Sequence, residues 1–304
     1  MLWRQIKTLF IFSFLILDLF LLMQLIDKQK NSDLGIMESE DTTIEQQLED
    51  ENIDIKASLS QEQLEENYIA VDQKNFGDAE KTLLKALADQ SHVIIDNNLL
   101  LSQLDKPVSI PKDSTAEDIK AIAGQYFLYP EQYTYWNWNK DKNILLFFQE
   151  KSGRPVYYNQ SGLVMIFLND DNEVTYFIQT ILGEAEKTGS QKQLISPLNA
   201  IDELYKGNEL YPNDEITKVD IGFHTMVPLP NGIQSFAPSW KITVNDDKHF
   251  FVNAIEGRIF FSNEYKFIED TLMAIRSKIQ ASGLDEEEKE QILPLVEQNL
   301  ETAE

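Results

Sequence analysis

Residues 6–26, IKTLFIFSFLILDLFLLMQLI, are almost entirely apolar, and no other feature restricts more what this chain can become. Twenty-one helical residues reach about 31 Å at ~1.5 Å each, matching the roughly 30 Å hydrocarbon core of a bilayer. A cleaved leader would carry a shorter apolar core, roughly 7–15 residues, ending in small residues. Here the run closes on Met23-Gln24-Leu25-Ile26-Asp27-Lys28. An uncleaved membrane anchor is therefore expected. Arg4 and, in the first turn of the run, Lys7 lie on its N-terminal side, and Lys28 and Lys30 follow it. The terminal amine alone tips the positive-inside balance toward a cytoplasmic N-terminus at 1–5 and an extracytoplasmic bulk.

Asp18 sits inside that span. A carboxyl there costs about 2.5–3.5 kcal/mol on insertion scales, so it marks a contact or functional position by default. Ile11, Phe14, Leu15, Leu21, Leu22 and Leu25 share its helical face at i±3, i±4 and i±7 spacing. These seven residues are the expected partner-binding face. The alternative is a protonated carboxyl that a very apolar helix tolerates.

Beyond the span the chain turns acidic. From Glu38 to Asp54 there are eight acids and no base, so residues 27–52 are expected to be a solvated stalk. Over the whole chain, 51 acids against 26 bases give a net charge of −25. That surface repels phosphate backbones and argues against nucleic-acid binding. Zero Cys removes disulfides, thiolate nucleophiles and thiolate metal sites.

The folded part begins near residue 53, with Ile53 to Ala57 read as a strand and Ser60-x-x-Gln63 as a capping box opening a short helix. Leu83, Leu84, Ala86 and Leu87 predict a helix over 78–89, and Val93-Ile-Ile95 a strand. Ser114-Thr-Ala-Glu117 predicts a helix running to about Leu128, before Pro130. From 133 onward the period is two, with strands over 133–138, 143–150, 156–158, 162–169, 173–182, 215–226, 239–245, 249–255 and 258–261. Ser196-Pro197 opens a helix, and another is expected over 270–279. The fold class is α+β: one transmembrane helix, then two antiparallel-sheet-plus-helix units at 53–182 and 183–265. Residues 266–304 form a helical acidic tail, expected to be peripheral from Leu284 onward.

Chemistry is thin. His92, His224 and His249 are the three histidines, and no HExxH, GxSxG or GKS/T motif occurs. His224 and His249 on neighbouring strands form a conceivable metal pair, but two ligands without a third favour structural roles. Asn169 to Glu173 is acidic yet lacks an EF-hand ligand ladder, and reads as a turn. The dense aromatics Tyr126, Phe127, Tyr129, Tyr133, Tyr135, Trp136 and Trp138 are expected mainly in the core, with any exposed remainder a protein contact. No catalytic residue, metal or cofactor is called for.

Two stretches carry a family resemblance: Trp3 through Lys28, and Phe236-Ala-Pro-Ser-Trp240-Lys-Ile followed by Phe250-Phe-Val-Asn-Ala254-Ile-Glu-Gly257. Together they resemble the YycI (WalI) regulatory family. The second is also similar to the closing hairpin of PepSY-like domains, in which Pro238, Trp240, Ala254 and Gly257 would be the structural motif. The resemblance implies a fold similar to the C-terminal domains of YycH. It also implies a non-enzymatic, single-pass membrane regulator of a Gram-positive WalR–WalK cell-wall system. Its partners would be a WalK-type sensor kinase and a YycH-like protein, met through the membrane helix and the extracytoplasmic part. The alternative is an anchored PepSY-like modulator of an extracellular protease.

Overall fold

The computed structural model describes Lys7 and residues 13–24, 43–228 and 233–301. The chain divides into two compact units, 1–49 and 50–304. In the first, residues 13–24 are helical, with Phe14, Leu15, Asp18, Leu21 and Leu22 all exposed. Ile11, Leu25 and the remainder of the expected 6–26 span, except Lys7, lie outside the described residues. Among the described residues no helix is long and apolar enough to cross a membrane. Helix α1 (Ile44–Asp50) falls within the expected stalk, yet its Leu48 is only 1% exposed. In the second unit Ile53 is buried and the Asn213 N–H donates to the Glu51 carbonyl at 3.3 Å, so ordered structure there starts before residue 53.

The second unit is mixed α+β. Its strands are β1 (Asp54–Ile55), β2 (Glu65–Lys74), β3 (Gln90–Ile95), β4 (Leu99–Ser109), β5 (Tyr133–Asn139), β6 (Ile144–Lys151) and β7 (Arg154–Tyr157). They continue as β8 (Leu163–Leu168), β9 (Glu173–Gln179), β10 (Ile181–Gln193), β11 (Glu215–Pro228), β12 (Gln234–Val244), β13 (Lys248–Asn253) and β14 (Ile259–Phe260). Helices α2 (Asp78–Ala86), α3 (Ala116–Ala123), α4 (Pro197–Lys206), α5 (Glu264–Ala281) and α6 (Glu286–Glu301) pack among them. One hydrogen-bonded path runs β10-β2-β12-β11-β7-β6-β8-β9-β4-β3. Strand β5 pairs with β6, β13 with β12, and β14 with β13.

Chain order and sheet order differ. Strand β2 lies between β10 and β12, so an early strand completes the sheet built by later ones. Residues 182 and 183, the expected unit boundary, fall inside β10. The link between the two halves of the path is the short parallel pairing of β7 with β11, Val156 to Phe223 and Tyr157 to His224. Gly222 permits it, because a Cβ there would sit 2.3 Å from the Tyr157 ring.

Strands β6 and β8 are apolar without alternation because both faces are covered. Leu145 and Phe147 join a core with Leu84 of α2 and Ile119 and Ala123 of α3. Ile144, Leu146 and Phe148 join another with Ile268, Leu272, Ile275 and Ile279 of α5 and Ile292 and Val296 of α6. The C-terminal segment is thus a layer of the core, which corrects the expectation of a peripheral tail. The Tyr176 hydroxyl donates to the Leu295 carbonyl, and the Lys142 ammonium donates to the Asn299 carbonyl at 3.0 Å.

Three further expectations change. No helix follows Ser60: Asn67, Ile69 and Val71 alternate inward, and 65–74 forms strand β2. Helix α3 is capped by Thr115 rather than Ser114, its hydroxyl accepting from the Asp118 N–H at 3.2 Å. That helix stops at Ala123 rather than near Leu128. Strand β4 and the β10 extension past Leu182 were not anticipated; the exposed half of β10 is polar and carries no apolar period.

Candidate interaction site

The closing hairpin is built by β12 and β13, with Ser239 opposite Asn253 and Trp240 opposite Val252. The Trp240 indole N–H donates to the Ile195 carbonyl at 2.9 Å, and the Ile195 N–H donates to the Ala254 carbonyl at 2.7 Å. The Ala254 N–H in turn donates to the Pro238 carbonyl at 2.8 Å. Pro238, Trp240 and Ala254 therefore clamp the segment that enters α4. The buried Asn253 side-chain oxygen accepts from the N–H groups of Ile255 (2.8 Å) and Glu256 (3.0 Å), folding the turn back. Gly257 closes it at φ +69°, a left-handed conformation that side chains with a Cβ resist.

Beyond this turn the chain passes through β14 into α5 and frames a cleft of about 600 Å³. His224, stacked on Phe260 with centroids 4.4 Å apart, lies on one wall. Tyr158 stands edge-on to Phe267 at 5.2 Å, and His249 and Phe250 come from β13. Alternation turns Phe260 inward and Phe261 outward; Phe261 is 85% exposed. A second hollow of about 420 Å³ shares Tyr158, His249, Phe250, Ser262 and Asn263 with the first, so the two are continuous.

Neither cleft histidine is disposed as a metal ligand. His224 Nε2 shares a hydrogen bond with Ser262 Oγ at 2.9 Å, and Nδ1 with the Thr225 carbonyl at 3.2 Å. Burial pushes its pKa down to about 4. His249 pairs with Thr243 Oγ1 at 3.2 Å and packs edge-on against Trp136 at 4.7 Å. Burial, followed by the Lys241 ammonium, lowers its pKa. Among the described residues no three His, Cys, Asp or Glu side chains converge to hold a metal ion.

The cleft mouth is acidic, with Glu209 and Asp270 around the larger hollow and Asp246, Asp247 and Glu264 around the smaller one. Glu264 accepts from the Trp136 indole at 2.8 Å and from Asn139 at 3.1 Å, tying the start of α5 to β5. Lys266 pairs with Asp270 at 3.2 Å, and Lys248 is exposed. Of the expected aromatic core, Phe127, Tyr133 and Trp138 are buried as anticipated, while Trp136 is half-buried behind this cleft. The Asn169 to Glu173 segment is a turn, with Asn169 Oδ1 accepting from the Asp171 and Glu173 N–H groups at 3.0 and 2.9 Å.

The cleft was not legible in the sequence. Its walls come from β11, β13, β14 and α5 and from Tyr158 just after β7; the one local signal that could have pointed to it is the apolar pair Phe260-Phe261 closing the expected 258–261 strand.

The class so defined is a mixed α+β protein whose large sheet is covered by helices and closed by a clamped hairpin. The chain belongs to the YycI family: the family described as YycI protein matches residues 31–255. No curated protein sequence matches it. Among solved structures it is similar to an uncharacterized protein from Eubacterium rectale, with 11% identity and a TM-score of 0.44, covering 70% of this chain and 91% of that one. YycH from Bacillus subtilis is similar at 13% identity and a TM-score of 0.36, covering 63% of this chain and 53% of that one. This chain thus spans about half the length of that YycH.

Proposed function

We propose that this protein is a membrane-anchored accessory regulator that biases a WalK-type sensor kinase of the YycF–YycG (WalR–WalK) system, together with a YycH-like partner, without catalysis of its own. The observation that carries this reading is the family match over residues 31–255. The apolar run 6–26 supports a single membrane pass with a cytoplasmic N-terminus and the sheet unit outside. The PepSY-like character of the hairpin belongs to the same proposal.

A regulator of this kind changes a kinase only by binding its signalling states with different affinity. Small residues are nearly absent from 6–26, which leaves Asp18 as the main polar contact available. Interhelical polar contacts reach about 1.7 kcal/mol, roughly an order of magnitude in affinity. The test is kinase output and membrane crosslinking with wild type, Asp18→Leu, Asp18→Asn and Ser13→Leu. Asp18→Leu is expected to weaken association up to about tenfold, Asp18→Asn less, and Ser13→Leu not at all. Kinase output that is the same with and without the protein would refute the regulatory reading.

A further inference from the structure

We propose that the cleft between β13, β14 and the start of α5 is a docking site for a partner-protein segment presenting apolar or aromatic side chains flanked by lysine or arginine. The proposal rests on the regulator reading for its biological setting, and on the cleft alone for its chemistry.

Three observations converge. The first is volume and lining. About 600 Å³ bounded by Tyr158, Phe250, Phe260 and Phe267, opening into a further 420 Å³, admits several side chains of a peptide rather than one. Specific ligand pockets fall in the range of about 300–1,000 Å³ and are mainly apolar with few polar groups. The second is Phe261, an 85% exposed ring on the cleft lip. A large ring held in water beside an apolar cleft has the form of a binding anchor awaiting burial. Its neighbours are fixed: Phe260 is stacked on His224, and the Asn263 side chain caps α5 by accepting from the Lys266 N–H at 2.8 Å. The lip is thus presented by a rigid junction.

The third is charge, which selects the occupant. Five carboxylates line the two hollows against two lysines; Lys266 and Asp270 pair with each other, which leaves four carboxylates against Lys248. His224 and His249 are held toward their neutral forms by burial and offset none of this charge. Asp246 and Asp247 are exposed on the β12–β13 turn, where their field meets a ligand approaching along the smaller hollow. An acidic segment or an anionic bilayer surface is repelled there, and a wholly apolar one leaves the carboxylates unmatched. A basic-apolar segment satisfies both the rings and the rim.

The test is fluorescence anisotropy with the full chain in uncharged detergent micelles. The probe is a fluorescein-labelled dodecapeptide alternating lysine with leucine and phenylalanine. Two comparison probes replace the lysines by glutamate, or the apolar residues by serine. The basic-apolar probe is expected to bind at least tenfold more tightly than either comparison. Phe261→Ser should weaken it at least fivefold, and Asp246→Lys with Asp247→Lys should weaken it and flatten its salt dependence. Leu83→Ser, which removes an exposed apolar residue on α2, should change nothing. Equal binding of the three probes, or wild-type affinity in both cleft variants, would overturn the proposal. This measurement needs no kinase, so its failure leaves the regulator reading standing. A kinase indifferent to the protein would refute that reading without touching the cleft.

Discussion

Ile292→Ala separates a structural C-terminus from a solvated one. Ile292 is buried in a core shared with Leu272, Ile275, Ile279 and Tyr176. Truncating a buried isoleucine to alanine costs about 2–5 kcal/mol, the lost transfer energy plus the cavity left behind. In a unit of this size each kcal/mol lowers the melting temperature by roughly 2–4 °C, so a drop of about 4–20 °C is expected. Ile292→Val, which removes one methylene, should cost only about 0.5–1.5 kcal/mol. Glu287→Ala, on the exposed side of α6, should stay within about 0.5 kcal/mol. Thermal unfolding of the purified protein followed by circular dichroism reads all three. Truncation after Gly283 sharpens the contrast by sign. It removes eight carboxylates and one lysine from a chain of net charge −25. Losing a solvated acidic tail would relieve self-repulsion and leave stability unchanged or raised. Losing α6 uncovers Ile275 and Ile279 and must lower it. An Ile292→Ala protein melting within 2 °C of wild type, by the roughly 2–4 °C per kcal/mol scale, would refute the placement of α6 in the core.

Two further outcomes follow from the hairpin and the cleft. Gly257→Ala forces a Cβ into a φ of +69° with the Glu203 side chain 3.4 Å away, and should cost about 1–2 kcal/mol; equal denaturant midpoints for the two proteins would count against the turn geometry. His224 has a folded pKa depressed to about 4 from 6.5, so the unfolded chain binds more protons between those values. Its contribution is complete above about pH 6.5 and is lost as the pH falls toward 4, up to about 3 kcal/mol. His224→Gln should flatten that loss between pH 6.5 and 5, and an unchanged pH profile would contradict the burial of the imidazole.

Several elements were legible because their signals are local. Ser196-Pro197 marked the start of α4, Asn169 the β8–β9 turn, and the alternation from Tyr133 onward the strands of the sheet. A cap, an Asx turn and a period of two need only neighbours in sequence. The Phe236–Trp240 and Phe250–Gly257 motif was legible in the same way, as residues around one hairpin. The capping pattern at Ser60 misled because pairing of 65–74 with β10 and β12, sequence-distant strands, overrode it.

The sequence by itself determined the family, the apolar run 6–26, the acidic surface and the kind of most elements. Tertiary structure alone decided which face each element buries and against what. The unbroken apolar runs of β6 and β8 required a layer on each face, but nothing local named α5 and α6 as the second layer. Acids outnumber bases ten to four over 264–301, which reads as a solvated segment, while the inward stripe of Ile268, Leu272, Ile275, Ile279, Ile292 and Val296 acquires its role only against the sheet. The cleft is decided the same way. Tyr158, His224, Phe250 and Phe267 are separated along the chain and meet only because β11, β13 and α5 are brought together. Burial is a property of pairs of surfaces, and a sequence read alone supplies only one surface of each pair.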